Sequence, residues 1–416
     1  MTTINPEPQE VKMPEPITDA PSGTEVPLHD EEKRDQRKRL SLLLLLLFLL
    51  LLCCIAGYFM IRYLITPQPL PEMLPPVVAE NVSYPPTYKF SFPADKPVAV
   101  ALSPDGERIY VAESGGGRFI KVFDRSGNFL TSFSPPGTNS STRQPRYLAV
   151  DSSGRVFLVD RLNNVIDVFD ADGNYLDAII APDLTISKLL AQKFPAGLPA
   201  GIIYSYEGVN QIVYYQVPGQ QPEQIDVPTS MITWTPLGIR FDKQGNLLYT
   251  DLTEGLHSVH IIPAANLNGA LTAFSPQVRE FGSRGNAPGQ FDFPQVAVTD
   301  SKDNLFVADG NNYRISAWTA SLQYRTFFGF GSIEGGLNMP RGMWMDSKDH
   351  LHVVDAVGAT VLVYDVTGEE AVYLYRFGTF GIAEGEMNFP IDIYIDGSGL
   401  VYVADSGNNR IQVWSY

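Results

Sequence analysis

Pro390-IDIYID-GSG-LVYVADSGNNRIQVW-Ser415 and, 96 residues earlier, Pro294-QVAVTD-SKD-NLFVADGNNYRISAW-Thr319 are one phrase written twice. Each has short β-branched and aromatic runs separated by Asp, Gly and Ser, the pattern of strands joined by tight turns in an antiparallel meander. A proline opens each phrase, and further prolines mark weaker copies at Pro97, Pro145, Pro236 and Pro340. The spacings are 48, 91, 58, 46 and 50 residues. The longest is twice the usual one, and the strand-like runs GIIYSY, QIVYYQ and EQIDV between Leu184 and Val227 read as a degenerate copy. The 58-residue interval reads as one period plus an insertion around Pro263 to Pro276. A period of about 40–50 residues with four strands per unit marks a β-propeller, in which each blade is buried on both faces. The sequence therefore predicts an all-β fold of four-stranded blades over 87–416, with seven blades favoured and six the alternative. The last copy ends after three strands, and Tyr88-KFSFP has no blade of its own, so the two are expected to pair and close the ring.

Upstream, Leu40 to Ile61 carry no charge and include the run Leu42 to Leu52, long enough at about 1.5 Å per residue to cross a bilayer core of about 30 Å. Residues 40–65 are predicted to form a single transmembrane helix, with both cysteines, Cys53 and Cys54, inside it. About 39 polar residues precede the run, unlike the short basic start of a signal peptide, so the helix reads as an uncleaved anchor. Lys33, Arg34, Arg37, Lys38 and Arg39 crowd its N-terminal side, which sets the N-terminus in the cytoplasm and the propeller outside, extracellular or periplasmic. Residues 1–39 read as a disordered cytoplasmic tail and 66–86 as a Pro-rich linker.

The chain of 416 residues has a formal net charge of −16. Such a field opposes phosphate backbones and argues against a nucleic-acid partner. Asp160, Asp251, Asp309, Asp355 and Asp405, with Glu113 in the first copy, recur after the second strand, and recurrence favours a local hydrogen-bonding role over a metal ring. Phe123, Phe169, Trp318, Tyr364 and Trp414 recur on the third strand and are expected to pack between blades. No nucleophile elbow is present and no histidine has a recognisable base role, so no catalytic residue is assigned. No metal site and no cofactor is assigned either. His350 and His352 could form an incidental zinc pair, short of the three ligands usual in a catalytic site.

The phrase resembles the NHL-repeat family. The carrying motifs are Gly289-QFDF-Pro294 and Gly385-EMNF-Pro390, followed by Asp309-GNNYRI and Asp405-SGNNRI. The resemblance implies a propeller, with six blades usual in the family, and functions ranging from RNA binding to receptor sensor domains, scaffolds and a metal-dependent amidating lyase. In the lyase branch, metal-binding histidines directly follow the strand-opening proline. Here those positions hold Val98, Arg146, Leu237, Gln295, Arg341 and Ile391.

Non-repeating polar residues distinguish one copy from another on the face where the first strands begin. They are Arg146, Arg161, Asn163, His257, Tyr313, Arg341 and Asp392, the candidate binding residues. The expected function is a membrane-anchored extracytoplasmic propeller that binds or scaffolds a protein partner or a small anionic ligand. The alternative is a lyase- or lactonase-like enzyme using the axial funnel.

Overall fold

The computed structural model describes residues 28–65, 85–182, 184–231, 234–267 and 279–416. The chain divides into two units, Met1–Val82 and Ser83–Tyr416.

Among the described residues the first unit contains one helix, α1, Leu28–Ile65, of 38 residues. It begins twelve residues before the expected start, so 28–39 is helical rather than a disordered tail. The reason is compositional: Glu, Lys, Arg and Gln dominate this stretch and favour a helix, and Asp30–Arg34 and Asp35–Arg39 stand at the i,i+4 spacing of opposite charges. The uncharged run lies within α1. Among the described residues, however, no helix is long and apolar enough to cross a membrane. The expected disorder of 1–27 and the linker over 66–84 lie outside the described residues.

The second unit is all-β. Its first strands are Pro97–Leu102, Pro145–Val150, Pro236–Phe241, Pro294–Thr299, Pro340–Met345 and Pro390–Ile395, each opening on a predicted proline. Each leads an antiparallel sheet of four strands, with a short fifth, Leu184–Thr185, at the edge of the second, and the first strands neighbour one another in a closed cycle. In the sixth blade the fourth strand is Thr87–Pro93, which pairs with Arg410–Ser415 and closes the ring as expected.

Among the described residues six sheets enter that cycle. The degenerate copy does form strands, at Ile203–Glu207, Ile212–Gln216 and Glu223–Asp226. They make a separate three-stranded sheet, while the first strand of the second blade lies directly against that of the third. A blade must be apolar on both faces, and these strands bury only one. Val213, Tyr215 and Tyr206 pack with helix α2, Ile186–Lys193, against Ala178 and Ile180 on the outer strand of the second blade. The copy is thus an outward elaboration of that blade.

The recurring aromatics join adjacent blades. Phe133 meets Phe169, Phe281 meets Trp318, Phe328 meets Tyr364, Phe377 meets Trp414 and Phe92 meets Phe123, at ring separations of 4.9, 4.6, 5.1, 5.1 and 4.8 Å. In each pair a fourth strand reaches the third strand of the next blade.

The recurring acids tie each blade's second strand to the entry of its first. Asp405 accepts the Asn388 N–H at 2.7 Å, Asp309 that of Asp292 at 2.7 Å, Asp355 that of Met339 at 2.9 Å, and Glu113 that of Asp95 at 2.7 Å. The local role holds, and its main partner is the preceding loop. A second set, Asp151, Asp242, Asp300, Asp346 and Asp396, caps the turns at the opposite end of the first strands, each accepting N–H groups two and four residues on. Many of the acids are thus absorbed in turns on the far face of the disc.

Candidate functional site: a cationic axial pocket

Where the first strands begin, they surround a pocket of about 250 Å³. The residue after each strand-opening proline points to the axis. Val98, Leu237 and Ile391 supply apolar wall, and Arg146 and Arg341 enter from the second and fifth blades, opposite each other in the cycle. Arg161, from the loop after the second strand of the second blade, is the third cation. Among the described residues no carboxylate lines the pocket.

The arginines differ in how they are held. Arg341 donates from Nη1 to Gln295 Oε1 at 2.7 Å and from Nη2 to Met339 Sδ at 3.3 Å, while its buried Nε has no hydrogen-bond partner. Arg161 donates to Asn164 Oδ1 at 2.7 Å. Arg146 has no hydrogen bond or ion pair among the described residues. Burial pushes its pKa down, and the charge of Arg341 adds to that, as do Arg161 and Arg118. A half-buried cation repelled by its neighbours is unfavourable without a counter-charge. Tyr147, on the pocket wall and 3% exposed, adds a hydroxyl buried without a partner.

Below the pocket the channel is crossed by an ion pair. Arg240 of the third blade reaches over the axis to Asp392 of the sixth, donating from Nη2 to Oδ1, with the side chains 5% and 0% exposed. Asp392 Oδ2 also accepts the Val100 N–H of the first blade at 3.2 Å. The guanidinium lies 5.8 Å from the ring centres of both Tyr147 and Trp344. Burial pushes the Asp392 pKa up, with Arg240 and the Val100 N–H acting against it. Gly342 lets the strands approach here, because a Cβ on it would lie 2.3 Å from Asp392 Oδ1. Asp392 is therefore an internal strut and not a surface recognition residue: its charge is spent within the protein.

Of the other candidates, Asn163 is buried and donates to Asp160 Oδ2 at 2.7 Å and to the Thr142 carbonyl at 2.9 Å. Asn312 and Asn408 make the same pair of bonds in their blades, so Asn163 belongs to the repeat after all. Tyr313 adopts a left-handed backbone and lines a shallow cleft with Arg314, Phe327 and Phe330, apart from the axial pocket. His257 is buried beneath the pocket mouth, where Nδ1 accepts the Phe293 N–H at 3.2 Å. Burial and the charge of Arg284 push its pKa down, against the pull of Asp292.

Sequence reasoning missed Gln295, Tyr147, Phe293 and Phe389. Gln295 stood among the residues that follow the prolines, and its side chain bridges Arg341 to the Phe293 carbonyl, donating to the latter at 3.1 Å. His350 and His352 converge on Asp346 Oδ2 at 3.2 and 3.3 Å, on the far face. Among the described residues, no group of three His, Cys, Asp or Glu side chains could hold a metal.

The NHL repeat model matches residues 387–414, the closing phrase of the sixth blade. The sixth blade thus carries an NHL repeat. No curated protein matches the chain in sequence. Among solved structures, the chain is similar to virginiamycin B lyase from Staphylococcus aureus, at 15% identity and a TM-score of 0.48, over 77% of this chain and 94% of that one. A streptogramin B lyase matches at 13% identity and 0.47, over 79% and 96%. The β-propeller domain of Myceliophteria thermophila Cps50 (Swd1) matches at 12% and 0.47, over 80% and 100%.

Proposed function

We propose that this protein is a membrane-anchored binding module, held by residues 40–65 with its propeller outside the cytoplasm, whose axial pocket takes an anionic group of a protein partner or small molecule. One observation carries the reading: three guanidinium groups share a pocket that has no carboxylate among the described residues, in a protein with a net charge of −16. Guanidinium forks bind carboxylate or phosphate through paired charge-assisted hydrogen bonds. The uncharged run within α1 and the basic cluster ahead of it support the anchor and its orientation.

Calorimetry with inorganic phosphate at low ionic strength, using the full chain, tests the binding role. Arg146→Gln and Arg341→Gln should each weaken binding about tenfold or more, since a hydrogen bond to a charged group contributes about 1.5–3 kcal/mol. Arg146→Gln should not lower the melting temperature, because it removes an uncompensated charge. Undiminished phosphate binding by the double variant would overturn the reading. Protease added to intact cells should digest the propeller and spare the N-terminal tail, and a protected C-terminus would overturn the topology.

A further inference from the structure

Two phenylalanines at the pocket mouth narrow the class of ligand. Phe293 and Phe389 directly precede strand-opening prolines, yet both hold left-handed backbones, with φ of 59° and 49°. That conformation is unfavourable for a bulky residue, and more so before proline. Their rings line the pocket while remaining 37% and 41% exposed. Phe293 is clamped at both of its backbone polar groups, its N–H donating to His257 Nδ1 and its carbonyl accepting from Gln295, which also holds Arg341. One side chain thus fixes an aromatic ring and a guanidinium relative to each other. Around the mouth, Arg146 and Arg161 come from the second blade, and on the opposite side Arg341 of the fifth blade stands between the two rings, which come from the fourth and sixth. Val98, Leu237 and Ile391 form apolar wall. An inorganic ion would engage the cations and leave the rest of the pocket unused.

Resting on the anion-binding reading, we propose that the ligand is an amphipathic organic oxyanion. Its phosphate or carboxylate head is held by Arg146, Arg341 and Arg161 with the Tyr147 hydroxyl, and its aromatic or branched apolar body lies against Phe293 and Phe389. The pocket volume of about 250 Å³ falls just below the range of about 300–1,000 Å³ usual for small-molecule sites and suits a compact ligand.

Calorimetry on the full chain compares phenyl phosphate with inorganic phosphate, and phenylacetate with acetate. In at least one pair the phenyl compound should bind about tenfold more tightly, the gain expected from burying one aromatic body. Phe293→Ala with Phe389→Ala should collapse that gap to about threefold or less. Phe389→Ala alone, which alters a half-exposed ring, should reduce it in the same direction if the double variant fails to fold. Equal affinity within both pairs, or a gap that the phenylalanine variants leave intact, would overturn the amphipathic ligand while the anion site stands. Binding by none of the four probes would overturn both.

Discussion

Replacing Asp392 with alanine should destabilise the propeller by about 3–5 kcal/mol, the usual consequence of removing one partner of a buried ion pair. The magnitude follows from what the carboxylate serves. It is wholly buried, it faces an Arg240 guanidinium 5% exposed, and it accepts the Val100 N–H from a third blade. Alanine leaves a cation and a backbone donor without that acceptor, and the Nε of Arg240 already lacks a partner. Replacing both partners, Arg240→Met with Asp392→Leu, removes the uncompensated charge and should recover most of the loss, because apolar replacements of buried ion pairs are often neutral or stabilising. Urea unfolding of the full chain followed by tryptophan fluorescence is a suitable assay, since Trp344 adjoins the pair. The Asp392→Ala variant should also melt on the order of 10 °C lower. A loss under about 1 kcal/mol, or a double variant no more stable than the single one, would refute the strut.

Deleting Tyr88 to Phe92 should expose the edge of Arg410–Ser415 and cause aggregation, read by light scattering; a monodisperse variant with unchanged melting would contradict closure by this strand. The Asp177 carboxyl is pushed up to about 6 by burial, against hydrogen bonds from Ser187 and the Ala178 N–H. Because its folded pKa lies above the ordinary value of 3.8, the folded state binds the extra proton between these values, and this group's contribution to stability falls as pH rises through that window. Asp177→Asn should flatten that part of the melting-temperature profile, and an unchanged slope would reject the assignment. His257→Leu removes the acceptor for the Phe293 N–H and should weaken phenyl phosphate binding more than inorganic phosphate binding, as calorimetry would report.

The strand-opening prolines made the blades legible, since each one begins a first strand and places the next residue at the axis. Ring closure was legible for the same reason: Tyr88 to Phe92 had no meander of its own. The place of the runs between Leu184 and Val227 was not, because they have strand composition, and only packing reveals that one face of that sheet stays open. Arg146 and Arg341 could be assigned to the funnel from their position after proline. Asp392 could not be separated from them, since a polar residue near the axis reads the same whether it faces solvent or an arginine from the opposite blade. Arg240 lies four residues beyond Pro236, and nothing local indicates that it reaches across the ring. Phe293 and Phe389 were read as repeat consensus, and their left-handed backbones, which turn the rings to the mouth, leave no mark in composition.

A crystal of the protein soaked in tungstate, a heavy analogue of phosphate, addresses the axial site directly. The anomalous signal should peak within hydrogen-bonding distance of the Arg146 and Arg341 guanidinium groups and near Tyr147, and it should vanish in the Arg146→Gln, Arg341→Gln double variant. An empty axial pocket in the wild-type crystal, with tungstate bound elsewhere on the disc, would contradict an anion site at the axis.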